Sequence, residues 1–186
     1  MAFLSEEELK LLNLKFCGKN VKLSDKAVLY NPQNISIDDN SRIDHFTVLS
    51  AGKGGINIGK NVHIALFCNL QGAENITMED FSGLSSRVSL YSSSDDYSGR
   101  FMTNPTVSDK FTNVISKPIL IRKHSIIGVG ACILPGVTIG LASAVGAFSL
   151  VNKSISDHMI AVGVPAIEKV PRKKNLLDLE NDFLKK

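Results

Sequence analysis

"IRKHSIIGVGACILPGVTIGLASAVGAFSLVNKSIS", residues 121–156, is the stretch that decides the fold. It divides into six blocks of six residues, and each block opens on an aliphatic residue: Ile121, Ile127, Ile133, Ile139, Val145 and Val151. A helix would repeat its apolar positions every three or four residues and a flat strand every two, so neither explains a step of six. The period predicts a coil of short parallel strands with turns between them.

The same register continues towards the amino terminus, where aliphatic residues recur mostly at steps of six: Leu23, Leu29, Ile37, Ile43, Leu49, Ile58, Ile64, Leu70, Met78, Leu84 and Leu90. Slips of two or three residues fall at "NPQN", "GKGG" and "GAEN". These segments contain Asn, Gly and Pro, which favour turns, so we expect small bulges at corners of the coil. A longer interruption, from Ser92 to about Lys117, predicts an inserted loop between the early and the late coils.

Two short helices are expected at the ends of the coil. Ser5 and Glu8 form a capping box with leucines behind them, which predicts an amphipathic helix that caps the first coil. An apolar stripe in the tail predicts a second helix, packed against an adjacent subunit; its members are Leu176, Leu177, Phe183 and Leu184. The expected domains are a helical cap at 1–15, a β-helix at 16–172 with its loop at 92–117, and a carboxy-terminal helix at 173–186.

Composition excludes several classes of function. The chain has a formal net charge of only +3, and its cations do not interleave with aromatic residues, so we expect no nucleic-acid partner. Cys17, Cys68 and Cys132 are far apart and lack CxxC spacing, so we expect neither a disulfide nor a metal site from them. The uncharged stretch 125–151 holds five glycines and keeps the six-residue period, which argues against membrane insertion. The acidic start lacks the pattern of a secretion signal and indicates a cytoplasmic protein.

Over residues 16–172 the chain resembles the hexapeptide-repeat acyltransferases. The most specific part is "IIGVGACILPGVTIGLASAVGAFSLVNKSI" followed by "AVGVPA", which looks like the closing coils of that family and the turn after them. The resemblance implies an all-β fold, a left-handed parallel β-helix of hexapeptide repeats. It also implies acyl-CoA as co-substrate and a homotrimer whose active sites lie between subunits. The period alone would suit a non-catalytic scaffold equally well.

Binding of CoA needs a groove for the pantetheine arm and cations for the phosphates. Small residues in the late coils leave the backbone open to an extended ligand. The residues expected to line this groove are Gly130, Ala131, Ala147 and Ser149. Basic residues cluster near the end of the coil, and among them we expect Lys153 and Arg172 to bind the phosphates.

The segment "VSLYSSSDD", residues 88–96, bears on the catalytic base. Many sugar O-acetyltransferases of the resembled family have a histidine after a strand of the form "VxIYxxxH", and this chain has Asp95 at the matching position. A carboxylate, with a reference pKa of about 3.9 against about 6.5 for histidine, is a poor base for a hydroxyl but adequate for an amine with a pKa of about 8. The substitution therefore favours N-acylation, with Asp95 as the base.

A narrower resemblance supports the same conclusion. "SDDYSG" followed by "MTNPTV" looks like the loop of the branch that acylates nucleotide-linked 4-amino-4,6-dideoxy sugars, in which an aspartate is the proposed base. The resemblance places Asp95 there and matches Ser85 to a serine near the sugar amine. Residues expected to contact the sugar are Ser85, Asp96, Tyr97 and Asn104, with Asp96 orienting its neighbour or capping the turn. The implied acceptor is the amine of a nucleotide-linked sugar destined for surface polysaccharide.

His63 carries the main alternative. It lies in "NVHIAL", beside the inward Ile64, and should point outward, where it could serve as the base of a sugar O-acetyltransferase. A zinc site would need a close pair of histidines, which His45, His63 and His124 do not form, so we expect no metal. Three interpretations stay open: an N-acyltransferase with Asp95, an O-acetyltransferase with His63, and a non-catalytic scaffold.

Overall fold

The aliphatic residues that open the hexads line the inside of a three-walled coil. The computed structural model describes residues 2–185, which form an all-β solenoid of about 7 turns with two short helices. Leu23, Ile43 and Ile64 follow one another along one wall, and each is fully buried. The predicted fold, a left-handed parallel β-helix, is confirmed.

Three sheets form the walls, and most strands pair in parallel with the strands one coil before and after them. The first wall contains Phe16–Cys17, Ile35–Ile37, Ile56–Ile58, Ile76–Met78, Ile119–Ile121 and Thr138–Ile139. The second wall contains Lys22–Leu23, Arg42–Ile43, His63–Ile64, Gly83–Leu84, Ile126–Ile127, Ala144–Val145, Met159–Gly163 and Ala166–Pro171, of which the last two form an antiparallel hairpin. The third wall contains Val28–Tyr30, Val48–Ala51, Asn69–Gly72, Ser89–Tyr91, Cys132–Ile133 and Leu150–Val151.

The insertions lie at one corner of the coil. We call the junctions between walls one and two, two and three, and three and one the first, second and third corners. The three slips, at 31–34, 52–55 and 72–75, each connect the third wall to the first, and the inserted loop does the same. The first slip contains a 3₁₀ turn, Pro32–Asn34. The third corner is therefore where the chain accepts extra residues without disturbing the core.

The inserted loop is closed at its base and folds back over the third wall. Its two ends pair as antiparallel strands, Ser93–Ser94 with Ile115–Ser116. Just below them, the Lys117 N–H donates to the Ser92 carbonyl at 3.0 Å. A 3₁₀ helix, Asp109–Phe111, lies between the two strands in sequence. Because its base is closed, the loop can form a cleft with the coil beside it.

Helix α1, Glu6–Leu11, lies at the amino-terminal end of the coil. Its capping box is present: the Ser5 side chain accepts from the Glu8 N–H, and the Glu8 carboxylate accepts from the Ser5 N–H at 2.7 Å. Leu9 joins the core of the first coil. The helix falls within the predicted cap, whose first residue, Met1, lies outside the described residues.

Helix α2, Asn175–Phe183, packs on the first corner of its own chain. Its Glu180 carboxylate lies 2.8 Å from Nε2 of His124, and the Phe183 ring meets an aromatic ring of the same corner edge-on. Glu180 thus ties the helix to its own coil, while Phe183 and Leu184 stay more than half exposed, and packing of this stripe on an adjacent subunit stays a prediction. Lys186, the end of the predicted helix, lies outside the described residues. No helix in residues 2–185 is long and apolar enough to cross a membrane.

Candidate active site

Apart from Asp96, the residues predicted for catalysis and sugar binding line two separate cavities. The loop cleft, between the inserted loop and the third wall, has a volume of about 660 Å³ and is lined by Asp95, Tyr97 and Asn104 among others. The second-wall groove has a volume of about 300 Å³ and is lined by His63 and Ser85 among others. Asp95, Tyr97 and Asn104 therefore lie together in one cavity, and His63 and Ser85 lie together in another. Within one chain the two cavities are separate.

The two adjacent aspartates of the loop have different surroundings. The Asp96 carboxylate oxygens lie 2.9 and 2.8 Å from the Ser98 hydroxyl, which donates to them and holds the pKa of Asp96 below its usual value. The Asp95 side chain lies half-buried in the loop cleft, and within residues 2–185 its carboxylate has no hydrogen bond or ion pair. Asp96 therefore stabilises its own turn, whereas Asp95 is open to a ligand.

Tyr97 and Asn104 form the outer rim of the loop cleft. Tyr97 is 93% exposed, so its ring has room to cover a ligand. Asn104 has a φ of 86°, in the left-handed region that asparagine tolerates better than most residues, and its carbonyl accepts from the Val107 N–H at 3.1 Å. Asn104 is thus held in a turn at the mouth of the cleft.

Ser85 lies where the second wall passes into the second corner. Its N–H donates to the Ile127 carbonyl at 2.9 Å, and its carbonyl accepts from the Cys68 thiol at 3.1 Å. Burial raises the pKa of the Cys68 thiol to about 11, so this thiol stays protonated and remains a donor at neutral pH. With its backbone fixed on both sides, Ser85 presents a hydroxyl that no side chain of residues 2–185 engages.

The second-wall groove exists because Gly83 has no side chain. On the outer face of the second wall His63, Gly83 and Ile126 lie in register on three successive coils. A Cβ built on Gly83 would meet its nearest neighbour, the His63 carbonyl oxygen, at 3.6 Å, so the backbone itself does not require glycine there. Sequence reasoning overlooks Gly83, although a glycine inside a strand can mark the close approach of a ligand.

His63 is the outer member of a row of three polar residues. Its Nε2 lies 2.9 Å from Oδ2 of Asp44, whose Oδ1 accepts from Nε of Arg42 at 2.7 Å. Burial alone would raise the pKa of Asp44, but hydrogen bonds from Arg42 and His63 outweigh it and hold this pKa below its usual value. Sequence reasoning misses Asp44 because it precedes His63 by 19 residues and meets it only through the stacking of two coils.

The four small residues predicted for the CoA groove divide into two pairs. Gly130 and Ala147 lie at the second corner and reach the surface, where the Phe148 ring packs against Gly130. Ala131 and Ser149 instead point into the core and are 0% and 2% exposed. The predicted contact of Ala131 and Ser149 with CoA is corrected on this ground, because strand alternation turns both side chains inward.

Lys153 and Arg172 lie apart from each other. Nη1 of Arg172 donates to the carbonyls of His124, Ala142 and Ser143 at 2.9, 3.1 and 3.1 Å, and burial lowers the pKa of Arg172. The structure therefore differs from the predicted phosphate contact of Arg172, whose guanidinium holds the first corner together. Lys153 is exposed beyond the end of the third wall and stays a candidate for the CoA phosphates.

These features define a class of enzyme. In residues 2–185 no group of three or more His, Cys, Asp or Glu side chains could hold a metal ion. What the coil offers is an extended surface at one corner, a groove with a serine beside it and a cleft with an open carboxylate. A parallel β-helix with these elements is the architecture of the hexapeptide-repeat acyltransferases.

Comparison with known proteins gives the particular branch. The chain is 45% identical over 183 residues to the dTDP-4-amino-4,6-dideoxy-D-glucose acyltransferase of Escherichia coli, covering 98% of this chain and 95% of that protein. It matches AntD, an N-acyltransferase from Bacillus cereus in complex with dTDP and 3-hydroxybutyryl-CoA, with a TM-score of 0.93 and 44% identity over 98% of this chain and 96% of AntD. A serine-to-alanine mutant of AntD, in complex with dTDP-4-amino-4,6-dideoxyglucose and coenzyme A, matches with a TM-score of 0.96 and 43% identity, covering 99% of this chain and 98% of AntD. No family model matches the chain.

The chain therefore belongs to the hexapeptide-repeat acyltransferase family, in the branch of the dTDP-4-amino-4,6-dideoxy-D-glucose acyltransferases. It is an acyltransferase, so the predicted enzyme class is confirmed and the non-catalytic scaffold is set aside.

Proposed function

We propose that this protein transfers an acyl group from acyl-CoA to the amine of a dTDP-linked 4-amino-4,6-dideoxy sugar. The observation that carries this proposal is the end-to-end similarity, at 45% identity, to the Escherichia coli enzyme named for that sugar. The likeness to AntD, whose structures hold dTDP, the amino sugar and CoA ligands, supports the same pair of substrates. A weaker relative, 28% identical over 72% of this chain, is a putative lipopolysaccharide biosynthesis O-acetyl transferase of Escherichia coli, which fits a step towards surface polysaccharide. A cytoplasmic location fits the proposed nucleotide-sugar substrate.

Asp95 is the proposed base. When an amine attacks the thioester carbonyl, the new C–N bond forms, the amine loses a proton, and the C–S bond breaks to release CoA as its thiol. The open carboxylate of Asp95 can receive that proton from the ammonium nitrogen that forms as the amine attacks, which gives it up far more readily than a sugar hydroxyl does.

The spacing of the AntD mutants supports the choice of residues. Structures of AntD carry substitutions at a serine and at an aspartate ten positions further on. In this chain Ser85 and Asp95 have that spacing, and so do Ser86 and Asp96. Because the Asp96 carboxylate is engaged by its own turn, the first pair fits a role at the substrate better.

A site built between subunits would explain why Ser85 and Asp95 occupy different cavities of one chain. We infer a homotrimer, which is typical of the family, in which the loop cleft of one subunit faces the second-wall groove of the next. Phe46 and Phe67 support such a contact: at the second corner, close to the groove, their rings stack at 5.1 Å and each is about half exposed. Burial of these rings would contribute to holding the subunits together.

The pantetheine arm of CoA would run along the second corner, over Gly130 and Ala147 and past the exposed ring of Phe148. The small residues let the ligand approach the backbone, whose N–H groups can polarise the acyl carbonyl as negative charge develops on its oxygen. Lys153 follows the last strand of the third wall, towards the third corner, and would contact a phosphate of a CoA molecule that extends across that wall.

One observation favours a second candidate, O-acetylation of a sugar with His63 as base. His63 is hydrogen-bonded to a buried carboxylate, which is the arrangement that orients a catalytic imidazole in many hydrolases and transferases. The two candidates differ in the acceptor atom and in the residue that takes its proton.

The deciding experiment measures thiol release from acetyl-CoA with dTDP-4-amino-4,6-dideoxyglucose and, separately, with dTDP-glucose. We expect turnover of the amino sugar only, and a fall in kcat of about 100-fold or more in Asp95→Asn. Asp96→Asn is the matched control and should retain most of the activity. Turnover of the hydroxyl sugar that Asp95→Asn leaves intact would support O-acetylation and overturn the proposal.

A further inference from the structure

Asp44 is the one charged residue that is buried among residues 2–185, with 4% of its surface exposed. It lies just after the second-wall strand Arg42–Ile43, one coil before His63. One carboxylate oxygen accepts from Arg42 and the other contacts His63. Burying an ionised carboxylate is costly unless both of its oxygens find partners. The pairing with Arg42 satisfies only one oxygen, so the contact with His63 is part of what keeps Asp44 ionised inside the coil.

This contact decides which nitrogen of His63 carries a proton. An ionised carboxylate only accepts hydrogen bonds, so Nε2 of His63 must be an N–H donor. In the neutral imidazole the lone pair then lies on Nδ1. The His63 side chain is 54% exposed and lines the second-wall groove, so the ring is within reach of a ligand there.

We propose that Asp44 is a positioning residue for acyl transfer: it fixes His63 in the tautomer whose Nδ1 accepts a hydrogen bond from the acceptor amine beside Ser85. This inference rests on the proposed function, which supplies the amine. The substrate amine is then oriented by His63 from the groove, while the open carboxylate of the loop takes the proton.

The surroundings of His63 leave Asp44 as the group that sets its tautomer. Arg42 lies behind Asp44, with its guanidinium over the Phe3 ring at 5.3 Å. The thiol of Cys68 donates to the Ser85 carbonyl, and burial keeps it protonated at neutral pH. Apart from His63 itself, the groove is lined in the described part of the chain only by glycine, alanine, leucine, isoleucine and serine. Among residues 2–185, therefore, no second carboxylate competes for Nε2.

Asp44→Asn tests the proposal because it should reverse the tautomer. The N–H of Arg42 needs an oxygen, so the new amide would turn its oxygen to Arg42 and its NH₂ to His63. Nε2 must then accept, the proton moves to Nδ1, and the groove loses its lone pair. We expect kcat for the amino sugar to fall by about 10- to 100-fold with KM for acyl-CoA unchanged. Asp44→Glu, which keeps a carboxylate, should recover part of the loss.

Nitrogen-15 NMR of histidine-labelled protein reads the tautomer without any substrate. We expect protonated Nε2 and unprotonated Nδ1 for His63 in the neutral wild type, and the reverse in Asp44→Asn. An active wild type with protonated Nδ1 would overturn the role of Asp44 alone. A wild type that shows the expected tautomer but never acylates an amino sugar would overturn the proposed function, and the positioning role with it.

A double-mutant comparison separates positioning from support of the fold. If Asp44 acts through His63, Asp44→Asn should have no further effect on kcat in a His63→Gln background. An equal loss in both backgrounds would mean that Asp44 only supports the coil, and would overturn the proposal. Asp25→Asn is the matched control: this aspartate lies 3.9 Å from Nδ1 of His45 one coil earlier, and its loss should change kcat by less than about twofold.

Discussion

The second-wall groove and the loop cleft are built from opposite kinds of sequence. The groove lies on the regular coil, where the hexads run without interruption and the outer position of a strand has been left empty at Gly83. The loop cleft lies at the third corner, where the slips and the long insertion collect. In the groove the His63 ring and the Ser85 backbone are fixed by hydrogen bonds, whereas the carboxylate of Asp95 has no partner among residues 2–185.

This difference shows how a repeat fold carries a site. The inward positions are occupied by packing and tolerate little change, because each side chain there touches the coils above and below it. The outward positions and the insertions are free of that requirement and can hold polar groups. A site made from both kinds of position combines a rigid half, which orients the acceptor, with a half that can adapt to the sugar.

Filling the groove should have the largest effect. Gly83→Leu places a side chain between His63 and Ile126 on the outer face, and we expect kcat/KM for the amino sugar to fall by about 1,000-fold because the acceptor can no longer enter. The fold should survive, since a Cβ fits there at 3.6 Å from the nearest atom. Lys22→Leu, on the same outer face near the first coil, should leave both activity and thermal unfolding near wild type. Full activity in Gly83→Leu would remove the groove from the site.

Removing the groove hydroxyl should have the next largest effect. Ser85→Ala deletes an unengaged hydroxyl without touching the backbone bonds to Ile127 and Cys68, so we expect kcat to fall by about 10- to 100-fold with no loss of stability. Ser86→Ala is the neighbouring control and should lose less than about threefold. If the thiol-release assay shows a larger fall in kcat for Ser86→Ala than for Ser85→Ala, the site would be assigned to Ser86 and Asp96 instead.

Replacing each of the two basic residues predicted to bind CoA should change a different quantity. Arg172→Met leaves the carbonyls of His124 and Ala142 without a donor, so we expect a loss of about 2 kcal/mol in the free energy of unfolding and an unchanged KM for acyl-CoA. Lys153→Met should raise that KM by about three- to tenfold with no change in stability. Urea unfolding and steady-state kinetics measure the two quantities, and a raised KM in Arg172→Met would restore its predicted phosphate role.

The smallest expected effect is on acid stability. The pKa of Asp44 is lower in the folded protein than its ordinary value of 3.8, so its ionised form stabilises the fold above that pH. This contribution is lost as the pH falls from about 4 through the folded pKa, as the carboxylate takes up a proton. Asp44→Asn cannot titrate, so its stability should fall less between pH 5 and about 2.5 than that of the wild type. Equal slopes in urea titrations across this range would contradict the account.

The sequence predicts well which side chains point into the core. A core aliphatic at nearly every sixth place fixes which side chains are buried, and the slips at "GKGG" and "GAEN" fall at the corner of the coil as expected. The same alternation of inward and outward positions predicts that Ala131 and Ser149 are buried. Each precedes a core aliphatic by two residues, and a strand turns every second side chain to the same face.

The outward half is harder to predict. The period does not predict which outer residues of two stacked coils meet. The contact of Asp44 with His63 and the gap at Gly83 therefore cannot be predicted from the sequence alone. Arg172 shows the same limit, since its carbonyl partners lie 29 to 48 residues earlier in the chain. Asp95 could be singled out only because the loop motif resembles a known branch, and its open carboxylate becomes apparent once the turn at Asp96 is folded.

Mixed trimers test most directly whether the groove of one subunit works with the loop cleft of another. Ser85→Ala and Asp95→Asn chains, each expected to keep at most about a tenth of wild-type activity alone, are co-expressed with different tags. The mixed assemblies are purified and assayed for thiol release with the amino sugar. If the site is shared between subunits, each mixed trimer pairs an intact groove with an intact loop at one of its three interfaces, so about a third of wild-type activity should return. Mixed assemblies as inactive as either parent would show that both residues act within one chain, and would contradict the account.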